Sequence, residues 1–519
     1  MVEEIGFPTR GELIRFAFRF SGVLPEKMDA SLARGDTRDR VRRAVDRLAK
    51  DDGKLEENFE RLMRELSGLV SDYVEQTPLY AGLGDVVVSL LDDYQRLLST
   101  EGTFLSKNAT VRWLIRDRWA PHVSTMLAKS LMQWHPSVVL PLRPASDRWF
   151  LPDFDDAGVV WPMRKALEWL YETADVSQSQ FHYPNRDAYE DDTERRRLLE
   201  NAQNWTSGRS LPSATALRYS LQHALTQRPN PLQHLEEPWK HQCVQTVLFL
   251  ARASTAIWQA IVAAHGLEFA RHVRDLFLQQ WRLLKTEMKG VERRIAREAR
   301  AHALAPIDPE LRGAVFQDWA EETHHRSEHA RLDLERFVEA TGSFPDEPIL
   351  QQLEERHGQF VMAFLTAAHR QGPLHDAPPH FADAFGTCER LRRSKDMTPK
   401  DVDAFAQHLK ATGLDGVLCW MPPWLHFMCA YRAGDHDEAW LAIGRAFELA
   451  RYRAGQTQYQ IVNQYVEMAA KQGDSAAFRK GVHWARYIGL EIRWIRSEPL
   501  TRQNLDAAMA ILAKATYRV

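Results

Sequence analysis

Apolar residues recur at helical spacing throughout this chain, and alternating apolar–polar runs are almost absent. Leu13, Phe16, Ala17 and Phe20 share one helix face, as do Leu62, Leu66 and Val70. The best strand candidate, Ser137–Leu140, is stopped at once by Pro141 and Pro144. An all-α fold is therefore expected, a multidomain helical protein with a repeat-like C-terminal block. At 519 residues the chain exceeds what one hydrophobic core can organise. Gly and Pro punctuation divides it into an N-terminal helical domain (1–140), with an arginine-rich stretch from Arg34 to Lys50, and a Pro- and Trp-rich segment (141–238). A long-helix domain (239–371) follows, then a linker from Gly372 to Pro379, and a last helical block (381–519).

Hydrophobic residues make up 44% and charged residues 26%, the balance of a folded chain. The net charge of −3 provides no global field for polyanions, so any such affinity must come from local patches. Cys243, Cys388, Cys419 and Cys429 form no C-x-x-C pair and are too few to staple the chain, which fits a reducing, cytoplasmic setting. The acidic start, Met1-Val2-Glu3-Glu4-Ile5, lacks the basic and apolar regions of a secretory signal. The most apolar stretch, Val244 to Leu267, carries Gln245, Arg252, Ser254, Gln259 and His265, which argues for a buried core helix over a membrane span. No phosphate loop, dinucleotide fingerprint or nucleophile elbow is present, so no cofactor is expected and a non-enzymatic role is favoured.

The most specific local pattern is Asn204-Trp205-Thr206-Ser207-Gly208-Arg209-Ser210-Leu211-Pro212-Ser213, followed by an apolar helix through Leu217, Leu221 and Leu225. Gly208 can take the left-handed conformation that stops a helix, and Ser210 or Ser213 can cap the next. This segment resembles the third and fourth helices of phage-repressor-type helix-turn-helix domains. The upstream runs Arg164–Leu170 and Val176–Phe181 resemble that family's first helix and the start of its second. The resemblance covers residues 161–228, with an insertion from His182 to Asp192 where the family has a tight turn. It implies nucleic-acid contact through Arg195, Arg196, Arg197, Ser207 and Arg209. Residues 193–228 hold six Arg against two Glu, a local excess of four positive charges of the kind phosphate contacts need.

A second basic feature lies on a helix expected from Glu268 to about His302. Arg282, Lys285, Lys289, Arg293, Arg297 and Arg300 recur at steps of three and four, which places all six on one face. Such a stripe can track a phosphate backbone or dock an acidic helix. Glu287, Glu292 and Glu298, read from the sequence alone, dilute it. His325-Arg326-Ser327-Glu328-His329 matches the H-x-x-E-H pattern, making His325 and His329 weak metal-ligand candidates. Their polar flanks, Glu321 to His324 and Ala330 to Asp333, instead predict an exposed helix with no bound metal.

In the last block, Ala430–Asp435 with Ala439, Ile443 and Ala446 aligns with Ala469–Asp474, Phe478, Val482 and Ala485 at an offset of 39 residues. Each reads as helix, Gly-Asp turn, helix. The pattern resembles tetratricopeptide-type repeats, with a longer period, and implies an α-solenoid that engages a protein partner. The leading expectation is a helical interaction or scaffold protein, regulatory in role, with a macromolecular partner and no membrane association. The alternatives are a nucleic-acid-binding regulator, contacting DNA or RNA through the two basic segments, and a metal-dependent hydrolase on the H-x-x-E-H helix.

Overall fold

The computed structural model describes residues 5–9, 11–13, 90, 94–99, 105–120, 123, 140–146, 148–155, 158–182, 192–226, 235, 237–301, 309–370, 378–492, 495 and 499–514. The helical stretches expected around Phe16–Phe20, Arg34–Lys50 and Leu62–Val70, the strand candidate at 137–139 and the linker at 372–377 lie outside these residues.

The fold is all-α. In order, the helices are α1 (Lys107–Trp113), α2 (Pro162–Ala174), α3 (Gln178–His182), α4 (Asp192–Ser207), α5 (Ala214–Thr226), α6 (Pro238–His265), α7 (Leu267–Ala301) and α8 (Pro309–Thr341). They continue as α9 (Glu347–His357), α10 (Gln359–Arg370), α11 (Phe381–Arg393), α12 (Pro399–Ala411), α13 (Met421–Ala433), α14 (His436–Ala450), α15 (Gln458–Lys471), α16 (Ser475–Tyr487) and α17 (Arg502–Lys514). Among the described residues the sheet is limited to one antiparallel hairpin, β1 (Asp153–Asp155) with β2 (Gly158–Val160). Three residues per strand are too few to show alternation in a sequence.

Three cores hold the helices. The first gathers α11–α17 around Trp424, Phe447, Phe478 and Trp484. It also takes in Phe7, Tyr94, Leu98 and Leu114, so described parts of the first sequence block share a core with the last. Backbone pairing fixes that junction: the Phe7 N–H donates to the Tyr452 carbonyl at 2.9 Å. Arg453 Nε donates to the Ile5 carbonyl at 2.8 Å. The second core lies among α7, α8, α9 and α10, and the third among α2, α5 and α6. α1 runs on into a single stretch of π-helix, Leu114–Trp119, in which Leu114 enters the first core and Ile115 the second.

α6 is long and apolar enough by length and composition to cross a bilayer. Here it is a packed helix: Val244, Val247, Leu248 and Ala251 enter the third core and Trp258 and Ile261 the second. Two of its buried polar residues are bonded inside the protein. Thr255 Oγ1 accepts the Met163 N–H at 2.8 Å, which satisfies an otherwise orphaned donor in the first turn of α2. The buried Arg252 donates from Nε to the Pro212 carbonyl at 2.8 Å.

In the C-terminal block, α13 and α15 end at Gly-Asp turns of the same geometry. Gly434 and Gly473 have φ of 78° and 71°. Asp435 accepts from the Glu438 N–H, and Asp474 from the Ala476 and Ala477 N–H groups, which caps α14 and α16. Ala446 and Ala485, 39 residues apart, are both fully buried. A Cβ on Gly481 of α16 would meet Val466 Cγ2 at 2.6 Å, so α15 and α16 approach closely. Ala446→Leu and Ala485→Leu are each expected to overpack their contacts and lower stability by roughly 1–3 kcal/mol in denaturant unfolding. Unchanged midpoints in both variants would mean that neither alanine sits at a tight helix–helix contact.

Candidate functional site

Two polar surfaces come from the segments singled out in the sequence. The first is on α4. Its exposed described residues, Thr193, Arg196, Arg197, Glu200, Gln203 and Ser207, recur at helical spacing on one face, and Arg209 is exposed just beyond. The side chain of Arg195 lies outside the described residues. The opposite face packs on α2 and α3. Trp205 lies half-buried against the third core, with its ring 5.6 Å from that of His182. Burial holds the His182 imidazole down to about 4, so the ring is neutral near pH 7 and can accept the Tyr171 hydroxyl at Nε2, 2.9 Å away. Burial likewise pushes the Tyr171 phenol above its ordinary range.

Gly208 ends α4 with φ of 74°. Its carbonyl accepts from Gln259 Nε2 of α6 at 2.7 Å, and the Trp161 indole occupies the space a Cβ would need. Ser213 Oγ then accepts the Ala216 N–H at 3.0 Å and caps α5. The order α2, α3, α4, α5 follows the runs singled out in the sequence, and residues 183–191 of the insertion lie outside the described residues.

The second surface is the outer edge of α7. The inner face of this helix is apolar: Trp281, Leu284, Met288, Val291, Ile295 and Ala299 are buried in sequence at steps of three and four. Between residues 281 and 300 the exposed positions are Arg282, Lys285, Thr286, Lys289, Gly290, Arg293, Arg297 and Arg300. Six of these eight are cations, and none is acidic or apolar.

The three glutamates that dilute the stripe in the sequence are half-buried on the flanks and paired there. Arg312 of α8 grips Glu292 with both terminal nitrogens. Arg326 of α8 lies 3.8 Å from Glu287. Glu298 pairs with Arg294 at 3.1 Å, and Arg294 also reaches Asp318 and Glu322 across the helix pair. These contacts hold the Arg294 guanidinium above its ordinary range, the Glu298 hydrogen bond foremost.

Among the described residues, by contrast, Arg282, Lys289, Arg293, Arg297 and Arg300 form no ion pair. Arg293 and Arg300 instead donate from Nε to the carbonyls of Lys289 and Ala296, one turn back. Partial desolvation, and then the like charge of Lys289, lowers the Lys285 ammonium below the usual lysine range. The antiparallel packing of α8 on α7 therefore sorts charge: carboxylates toward the seam, cations to the edge. The stripe's spacing was legible in the sequence. The sorting was not, because Arg312 and Arg326 meet their glutamates only through tertiary packing.

His325, Glu328 and His329 are exposed on α8, and Glu328 is paired with Arg331 at 2.6 Å. Among the described residues no three His, Cys, Asp or Glu side chains converge as a metal site would require. The buried thiol of Cys388 is pushed up to about 12 by desolvation, which leaves it protonated and inert.

No family model, no curated protein and no solved structure matches this chain. The assignment of a function therefore rests on the two surfaces themselves.

Proposed function

We propose that this chain is a helical interaction protein that holds an anionic macromolecule against the outer edge of α7. The observation that carries the reading is that the exposed positions between residues 281 and 300 are six cations in line with Thr286 and Gly290, while the partly exposed Glu287, Glu292 and Glu298 are each paired with an arginine. Like charges held together at an edge repel, so each gains from a bound polyanion. The macrodipole favours cations only in the last turn of a helix, which accounts for Arg300 but not for the other five.

A second surface supports nucleic acid as a partner. The exposed face of α4 offers Arg196, Arg197 and Gln203, side chains that can donate to phosphates or to base edges, around the single carboxylate of Glu200. It fits the reading of residues 161–228 as a helix-turn-helix-like unit.

The test replaces Arg282, Lys289, Arg293 and Arg297 together with glutamine. At low salt the natural chain is expected to bind polyanions, a DNA duplex and poly-L-glutamate among them, in a fluorescence anisotropy titration. The fourfold variant is expected to bind at least about 100-fold more weakly, with an unchanged thermal transition, because its substituted side chains are exposed. A natural chain that binds no polyanion at low salt would refute the proposal.

A further inference from the structure

We infer that the partner on the α7 edge is a nucleic-acid duplex, bound through its phosphate backbone irrespective of sequence. The inference rests on the reading that this edge binds a polyanion, and it specifies which one.

Four observations narrow the choice. The first is length and stiffness. From residue 282 to residue 300 a helix rises about 27 Å, which corresponds to about eight phosphates along one duplex strand. Trp281, Leu284, Met288 and Ile295 anchor the reverse side, so the charges sit on a fixed rod. A rigid array of charge loses least entropy when its counterpart is rigid as well.

The second observation is the lack of apolar anchors. A protein partner binds through buried aromatic or aliphatic groups, with Lys depleted from the interface core. The α7 edge has no such anchor at any exposed position from 281 to 300. The third is the lack of aromatics. Single strands are held by stacking bases on rings. The exposed aromatic side chains among the described residues are Tyr219 on α5 and Trp239 on α6, outside α7.

The fourth observation concerns close approach and reach. Gly290 is exposed on the flank of the stripe, midway along its length, and a Cβ placed there would meet nothing within 4 Å. A phosphate ridge tracking the stripe can therefore approach the helix backbone along that flank. The guanidinium groups of Arg293 and Arg300 are tied to carbonyls of their own helix. That keeps them at the helix surface, suited to phosphates, and away from base edges deep in a groove.

The experiment titrates the full chain at low salt against two duplexes of unrelated sequence, one single strand and poly-L-glutamate. The duplexes are expected to bind within about threefold of each other, since phosphate contacts carry no sequence information. Both are expected to bind at least about 10-fold more tightly than the single strand or poly-L-glutamate, because a duplex carries one charge per ~1.7 Å of axis. Gly290→Glu, which has open space to occupy, is expected to weaken duplex binding about 10-fold without altering the fold. Equal affinity for poly-L-glutamate or for the single strand would overturn the duplex inference while leaving the polyanion reading intact. A difference above about 10-fold between the two duplexes would overturn backbone-only recognition. No binding to any of the four would end both.

Discussion

Gly208→Ala is expected to lower the stability of the protein by about 2–5 kcal/mol, the sum of a strained backbone and an overpacked contact. At φ of 74°, Gly208 occupies the left-handed region that side chains resist. A Cβ at this position would meet Trp161 Cδ1 at 2.3 Å and Nε1 at 2.7 Å. Neither neighbour can yield readily. Trp161 precedes the first turn of α2 and packs against the second core, and Gln259 of α6 holds the Gly208 carbonyl. The turn thus joins α4 to α2 and α6 at once, and loosening it should release the α4 surface from the body. Chemical denaturation of the variant checks this. A loss below about 0.5 kcal/mol would contradict the packing of Trp161 on Gly208, since a substitution away from any such contact costs no more.

Much of the fold was legible in the residues. The stretch expected as helix from Glu268 to about His302 is α7, Leu267–Ala301, because nothing in it breaks a helix and its apolar and basic periods reinforce each other. Ser213 caps α5 and Gly208 stops α4 because each needs only local geometry. Arg252 and Thr255, in the apolar stretch read as a core helix, are buried and hydrogen-bonded within the protein.

What the residues did not disclose is tertiary. Phe7 lies far in sequence from Tyr452, and no periodicity links them. The β1–β2 hairpin is too short to produce a pattern. At the candidate site the limit is sharper. The spacing from Arg282 to Arg300 marks a cationic face in the sequence, but there Glu287, Glu292 and Glu298 stand among the cations. Only the partners on α8, together with Arg294, decide that those carboxylates are neutralised at the seam, which makes the edge more positive than its sequence implies.

The most direct test of this account is the salt dependence of duplex binding, measured for the natural chain and for the variant lacking Arg282, Lys289, Arg293 and Arg297. Each neutralised phosphate contributes about −0.9 to the slope of log affinity against log salt. Six edge contacts predict a slope near −5 for the natural chain, and the two cations left in the variant predict a slope near −2. Equal slopes in the two proteins would place the phosphate contacts elsewhere and contradict the assignment of the α7 edge as the binding surface.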